Sequence, residues 1–183
     1  MTKDQILSLI EQDGWMMDVL RAVRDLHLPD WWIGAGFVRA KVWDYLHGYK
    51  IRTPIADIDV IYFDSKNTNE EIEEKYQAQL HSVMPKENWS VTNQARMHTE
   101  HNDAPYKNSE EALSCWVETP TCIAVRFEED NVLSLIAPHG IDDLVKCIVR
   151  PTPACKKRMD VYRERIAQKN WKAKWPKLNI LEK

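Results

Sequence analysis

Residues 32–64 read WIGAGFVRAKVWDYLHGYKIRTPIADIDVIYFD, and the order of residue types in this stretch decides the fold. The apolar run Trp31 to Ile33 predicts a short buried strand ending in the turn Gly34-Ala35-Gly36. Phe37 to His47 then places Val38, Val42, Trp43 and Leu46 on one side of a helix, leaving Lys41 and Asp44 in water, and Gly48 stops it. A polar loop with Lys50, Arg52 and Thr53 before Pro54 leads to a strand in which Asp57 and Asp59 alternate with Ile58. Residues two apart on a strand share a face, so the two carboxylates stand together while Ile58 and Val60 turn to the core. Close like charges repel, and a divalent cation that prefers oxygen ligands satisfies both groups. Glycines at a strand-to-helix turn let a phosphate approach the backbone, where the helix N-terminus offers free N–H groups. Two basic residues and a hydroxyl in the loop leading to the carboxylates could contact a triphosphate.

Working outward, Thr2 to Gln12 and Trp15 to Leu26 predict two amphipathic helices, the first capped by Thr2 and broken at Gly14. Asn69 to Val83 predicts a third, with Ile72, Tyr76, Leu80 and Val83 inward and Glu70, Glu71, Glu73 and Glu74 solvated. Trp89 to Asn93 returns as a strand beside the Asp57–Val60 strand in a β-α-β unit, followed by a polar block in which Arg96 and His98 could face the cleft. Beyond a polar loop over 101–108, Ser109 caps a short helix to Trp116. Thr121 to Phe127 alternates, with Cys122, Ala124 and Arg126 on one face and Ile123, Val125 and Phe127 on the other. A turn over 128–131 returns it into Val132 to Ile136. Ile141 to Ile148 and the basic stretch Cys155 to Gln168 predict the last helices. Trp171 and Trp175, four apart, are expected to clamp the tail onto the body; stacking on bases is the alternative reading.

The 183 residues suit one domain over 1–183, with N-terminal helices in 1–30, a core over 31–150 and a C-terminal helical extension over 151–183. The expected class is α+β: a short mixed sheet with Asp57 and Asp59 on a central strand, helices on one face and a C-terminal helix packed back on it. A net charge of -3 argues against general DNA binding. The four cysteines have no metal-type spacing and no secretory signal precedes them, which predicts reduced thiols and a cytoplasmic setting. No apolar stretch is long enough to span a membrane. The eight tryptophans are expected mostly in or over the core.

The strand, small-residue turn, helix and Asp-x-Asp strand together resemble the polymerase-β-like nucleotidyltransferase superfamily. Ala35-Gly36-Phe37-Val38-Arg39-Ala40, Leu46-His47-Gly48 and Asp57-Ile58-Asp59 are similar to the head domain of tRNA nucleotidyltransferases and bacterial poly(A) polymerases. As a whole the chain is similar to small bacterial nucleotidyltransferase-like proteins of unassigned substrate. It departs from the pattern in Ala35 for a glycine, Ala40 for an acid, and a longer loop from Gly48 to Asp57.

The resemblance implies transfer of a nucleoside monophosphate from an NTP such as ATP to a hydroxyl. Asp57 and Asp59 would be catalytic and hold Mg²⁺ or Mn²⁺. Gly34, Gly36, Arg39, Lys50, Arg52, Asn93 and Arg96 are the nucleotide-contact candidates. The position where such enzymes carry a third carboxylate reads Asn93, and Glu118 and Glu128 compete for that role. The acceptor, whether small molecule, protein or RNA, and the oligomeric state stay open. Three rivals stand beside this reading: a catalytically impaired nucleotide-binding or regulatory protein, a toxin–antitoxin-type partner-binding protein, and an RNA-processing enzyme.

Overall fold

A computed structural model describes residues 1–101, 103–128 and 130–182. Asn102, in the predicted loop 101–108, and Glu129, in the predicted turn 128–131, lie outside the described residues. Five strands form one sheet in the order β3-β2-β1-β4-β5. These are β1 (Trp32–Gly34), β2 (Ile58–Tyr62), β3 (Trp89–Asn93), β4 (Ala124–Phe127) and β5 (Leu133–Ile136). Among the described residues of this sheet only β2 and β3 run parallel, joined through helix α4 (Glu70–Val83); its other pairs are antiparallel, so the sheet is mixed as expected. β2 is an interior strand, hydrogen-bonded on both edges.

Alternation along the strands sorts side chains between two cores. Ile33, Ile58, Val60, Tyr62, Val125 and Phe127 join the main core, which also holds the inner faces of α1 (Lys3–Glu11), α2 (Gly14–Arg24) and α3 (Gly36–His47). Trp32, Ile61, Cys122 and Ala124 face the other way and meet Leu113 of α6 (Ser109–Ser114). Helices were expected on one face only. The second face is partly covered because α5 (Gln94–His101) and α6 fold over it, burying apolar residues that the alternation leaves there.

The helix ends follow capping chemistry. Thr2 and Gln5 form a reciprocal capping box on α1. Gly14 does not simply break a helix: Asp13 caps Met16 N–H, so Gly14 is the first residue of α2, where a glycine costs little. Asn108, not Ser109, caps α6, because the Ser109 N–H and hydroxyl are both donated to Asp30, at 2.7 and 2.6 Å. Val83, the last residue of α4, is exposed instead of inward. Glu73, expected in water, is buried and accepts hydrogen bonds from Asn93 N–H and the Arg96 guanidinium. The helix expected over 141–148 is only α7 (Asp142–Val145), since Cys147 takes a positive φ of 55° and Ile148–Val149 become strand β6.

The C-terminal segment closes the molecule. A 3-10 turn at Cys155–Lys157 precedes α8 (Met159–Lys169) and α9 (Trp171–Lys174), and β7 (Asn179–Ile180) pairs in parallel with β6. Trp171 and Trp175 form the clamp, packing edge-on against Trp43 of α3 with ring centroids 5.6 and 5.1 Å away. Asp44 belongs to this clamp and not to solvent: it accepts from Trp175 Nε1 at 2.7 Å, Thr53 N–H at 2.8 Å and Thr53 Oγ1 at 2.6 Å. Lys41, also expected in water, pairs with half-buried Asp13 at 2.8 Å. All eight tryptophans are buried or half-buried. No helix among the described residues is long and apolar enough to cross a membrane.

Candidate active site

β1 ends and α3 begins at Ala35, whose φ of 50° and ψ of -120° lie where L-residues are strained. Two backbone bonds hold it there: its N–H is donated to Ile123 O at 3.1 Å and its carbonyl accepts from Arg39 N–H at 2.9 Å. This is the position where the resembled pattern has glycine. Ala35→Gly is therefore expected to stabilise the fold by about 1 kcal/mol, the relieved strain exceeding the entropy added to the unfolded chain, and to raise Tm by roughly 2–4 °C. A Tm at or below that of the wild type in thermal denaturation would rule this out.

No side chain caps the start of α3, so its first-turn N–H groups remain available to an anion. Gly36 lines a narrow cleft of about 60 Å³ together with Asp57 and Asp59. Gly34 does something else. The β1–β2 register, Trp32 opposite Ile61 and Ile33 opposite Val60, brings it beside Asp59, and a Cβ here would stand 3.4 Å from the Trp116 ring and 3.4 Å from Ile123 O. Its missing side chain seats Trp116 against the sheet.

Neither Asp57 nor Asp59 forms an ion pair among the described residues. Burial, with the like charge of Asp57 second, pushes the Asp59 carboxyl up to about 6. Arg39 is buried and donates to Thr121 Oγ1 at 2.7 Å, its guanidinium 4.3 Å from the Trp171 ring centroid. Burial lowers it to about 10, against the pull of Glu118, Asp59 and Asp57, so it stays cationic at neutral pH.

The remaining candidates go elsewhere. Arg52 pairs with Asp13 at 2.6 Å and stacks on Trp15 at 3.9 Å, and Lys50 lines a separate groove with Arg52 and Asp13. The parallel register sets Ser90, not Asn93, beside Asp59. Asn93 ties a turn together: its Nδ2 donates to Asp64 O and Asn67 O, and its Oδ1 accepts from Asp64 and Ala95 N–H. Arg96 makes a two-pronged pair with Glu73, both bonds 2.8 Å. His98 Nδ1 lies 3.0 Å from Ala95 O. Glu118 is fully buried and accepts from Arg165 Nε at 2.7 Å, whereas Glu128 is held by Arg126. Among the described residues no group of three or more His, Cys, Asp or Glu is placed to hold a metal.

In place of those residues the tail contributes the cleft's other wall: Arg165, Lys169, Lys174, Trp171 and Trp175. The spacing of the tryptophans signalled the clamp, but no local pattern marked these cations as facing the carboxylates.

A family model described as nucleotidyltransferase matches residues 21–180. A solved structure described as the NMR structure of a protein that reveals a CCA-adding enzyme head domain is 33% identical, with a TM-score of 0.88, covering 98% of this chain and 96% of that one. Two longer proteins share the fold at 14% identity. Thermotoga maritima CCA-adding enzyme complexed with tRNA has a TM-score of 0.60, with 99% of this chain covering 42% of that one. A CCA-adding enzyme complexed with CTP has a TM-score of 0.61, with 99% covering 43%. The present chain thus spans less than half of each. No curated protein matches it. With the family match running from α2 to β7 and a head-domain relative aligned over nearly its whole length, this chain belongs to the nucleotidyltransferase family.

Proposed function

We propose that the protein transfers a nucleoside monophosphate from an NTP to a hydroxyl, using Asp57 and Asp59 to hold a divalent cation, Mg²⁺ or Mn²⁺. One observation carries the reading: two carboxylates without ion-pair partners among the described residues share a cleft with an uncapped helix N-terminus and four basic side chains. The donor set fits such an ion. Hard carboxylate oxygens suit it, burial and then the like charge of Asp57 raise the Asp59 carboxyl, and about 60 Å³ leaves room for a cation and a few waters. Magnesium is commonly held by one or two carboxylates with substrate phosphates completing its shell, so two acids suffice for binding.

Each residue then has a task. Gly36 lets the triphosphate approach the α3 N-terminus, whose N–H groups and dipole favour the anion. Lys169, Lys174 and Arg165 hold its outer oxygens, and Arg39, fixed by Thr121 and Trp171, keeps the cleft cationic beneath the carboxylates. The acceptor oxygen bonds to the α-phosphorus, the bond to the α,β-bridging oxygen breaks, pyrophosphate leaves with the electron pair, and the hydroxyl proton passes to solvent. A bound divalent cation supplies charge neutralisation at the α-phosphoryl group and the leaving pyrophosphate. A second reading, NTP binding without transfer, draws on the missing third carboxylate among the described residues.

The deciding measurement incubates the protein with each α-labelled NTP and Mg²⁺ or Mn²⁺ against a metabolite and RNA mixture, with and without chelator. Label transfer together with pyrophosphate release, both lost on chelation, is expected. Tight NTP binding with neither would establish the second reading.

A further inference from the structure

Asp59 also lines a second cavity, of about 190 Å³, and is the one residue common to the linings of this cavity and the carboxylate cleft. Ser90 and Thr92, paired with Asp59 and Ile61 in the parallel register, share the face of Asp59 and form part of the floor. Trp116, seated over Gly34, forms a wall. Gln94 is 3% exposed, and its Oε1 accepts from Trp116 Nε1 at 3.4 Å. The Gln94 amide and the Ser90 and Thr92 hydroxyls give the lining donors and acceptors for oxygen atoms that a ligand or water brings. Among the described residues no lysine or arginine lines the cavity, and Asp103 adds negative charge behind Tyr106, from whose hydroxyl it accepts a hydrogen bond at 2.8 Å.

We infer that this cavity is the acceptor site and that the acceptor is a small ring-shaped polyol, neutral or cationic, and not a nucleic-acid end. The inference rests on the nucleotide reading of the Asp57/Asp59 cleft. Position supports it, because a hydroxyl held here reaches the boundary with that cleft at Asp59. Chemistry supports it too: one amide donor, two hydroxyls and a carboxylate on a flat sheet face match several ring hydroxyls, and an indole wall matches the apolar C–H face of a ring. Charge excludes the macromolecular alternative, since nothing in the lining offsets a phosphodiester while two carboxylates repel it. In the transfer, the ring hydroxyl oxygen takes the α-phosphorus, pyrophosphate departs with the electrons of the broken P–O bond, and the proton goes to solvent.

Two-dimensional NMR of the labelled protein tests this, with the Trp116 indole N–H assigned through Trp116→Phe. D-glucose or D-glucosamine is expected to shift that signal while glucose 6-phosphate does not, and α-label from the NTP is expected to appear on the sugar. Gln94→Ala should raise the sugar KM about tenfold or more with a smaller effect on kcat, as expected for a lost hydrogen bond to a substrate hydroxyl. Thr92→Phe, which fills the cavity, should remove both the shift and the transfer. Absence of any indole shift with either sugar, label passing to a random oligoribonucleotide instead, or sugar transfer surviving Thr92→Phe each overturns the inference. Amide shifts of Gly36 and Phe37 with Mg-ATP in the wild type report the nucleotide cleft separately. If they appear without the indole shift, only the acceptor assignment falls; if they too are absent, both fall.

Discussion

Asp59→Asn is expected to abolish nucleotidyl transfer and yet to melt at a higher temperature than the wild type in chelator at pH 8. The two effects have one cause. Folding buries the Asp59 carboxylate beside Asp57 and raises its carboxyl from 3.8 to about 6. The folded state therefore binds this proton more tightly than the unfolded chain does. The corresponding stability is fully present below about pH 4 and is lost as pH rises through 6, so above that the charged carboxylate is a liability of about 3 kcal/mol. The neutral amide removes that liability, which corresponds to roughly 6–12 °C in Tm for a chain of this size. Saturating Mg²⁺ with NTP should reverse the order, since only the wild type gains from binding. Transfer should fall on the order of a thousandfold, the several kcal/mol expected from losing a ligand of a catalytic cation. Equal melting temperatures at pH 8 in chelator would show that the two carboxylates do not burden the fold. Undiminished transfer would remove Asp59 from the chemistry.

Glu118→Ala should be the most destabilising single change near the cleft. Glu118 is fully buried, receives Arg165 Nε at 2.7 Å, and attracts the buried Arg39 guanidinium. Its second oxygen, Oε2, has no hydrogen-bond partner among the described residues, so the ion pair gives the fold little surplus. Removing the carboxylate is a different matter, because it takes away the hydrogen-bonded partner of Arg165 and leaves the buried Arg39 with only Asp57 and Asp59 to offset it, at a cost of about 3–5 kcal/mol. Arg165 should then swing from the cleft and weaken NTP binding. The double variant Glu118→Met with Arg165→Met recovers most of the stability, since packed apolar groups replace a desolvated pair, but not the NTP affinity. Urea unfolding of all three proteins with NTP titrations separates these effects. A single variant within about 1 kcal/mol of the wild type would show that Glu118 is not holding the cations.

Both predictions concern one cleft whose parts differ in how far they could be read from the chain. Asp57, just before β2, and Asp59 within it line one cleft as a two-residue period predicts, and the same period divides Val125 and Phe127 from Ala124 across β4. Turn and cap chemistry is equally local: Thr2, Asn69 and Gly48 end their helices as their residue types dictate. Charged side chains were the least legible. Arg52, Arg96 and Asp44 were each read from their own segment, and each is taken by a partner from another: Asp13, Glu73, and Trp175 at 131 positions away. A surface arginine and an arginine in a buried pair look alike in sequence, because the choice depends on which carboxylate packing delivers. Asn93 shows the same limit for register, since identifying the neighbour of Asp59 required knowing that Ile58 pairs with Trp89.

The amino-acid sequence by itself determined the strand–turn–helix–strand order, the shared face of the two carboxylates and the tryptophan spacing that anchors the tail. These depend on periods and capping within a few residues. Only the tertiary structure decided which cations face those carboxylates, that Gly34 serves Trp116 while Gly36 opens on the cleft, and that Glu118 is taken up by Arg165. Those outcomes depend on contacts between segments distant in the chain, where burial and charge pairing, and not local geometry, select the partner.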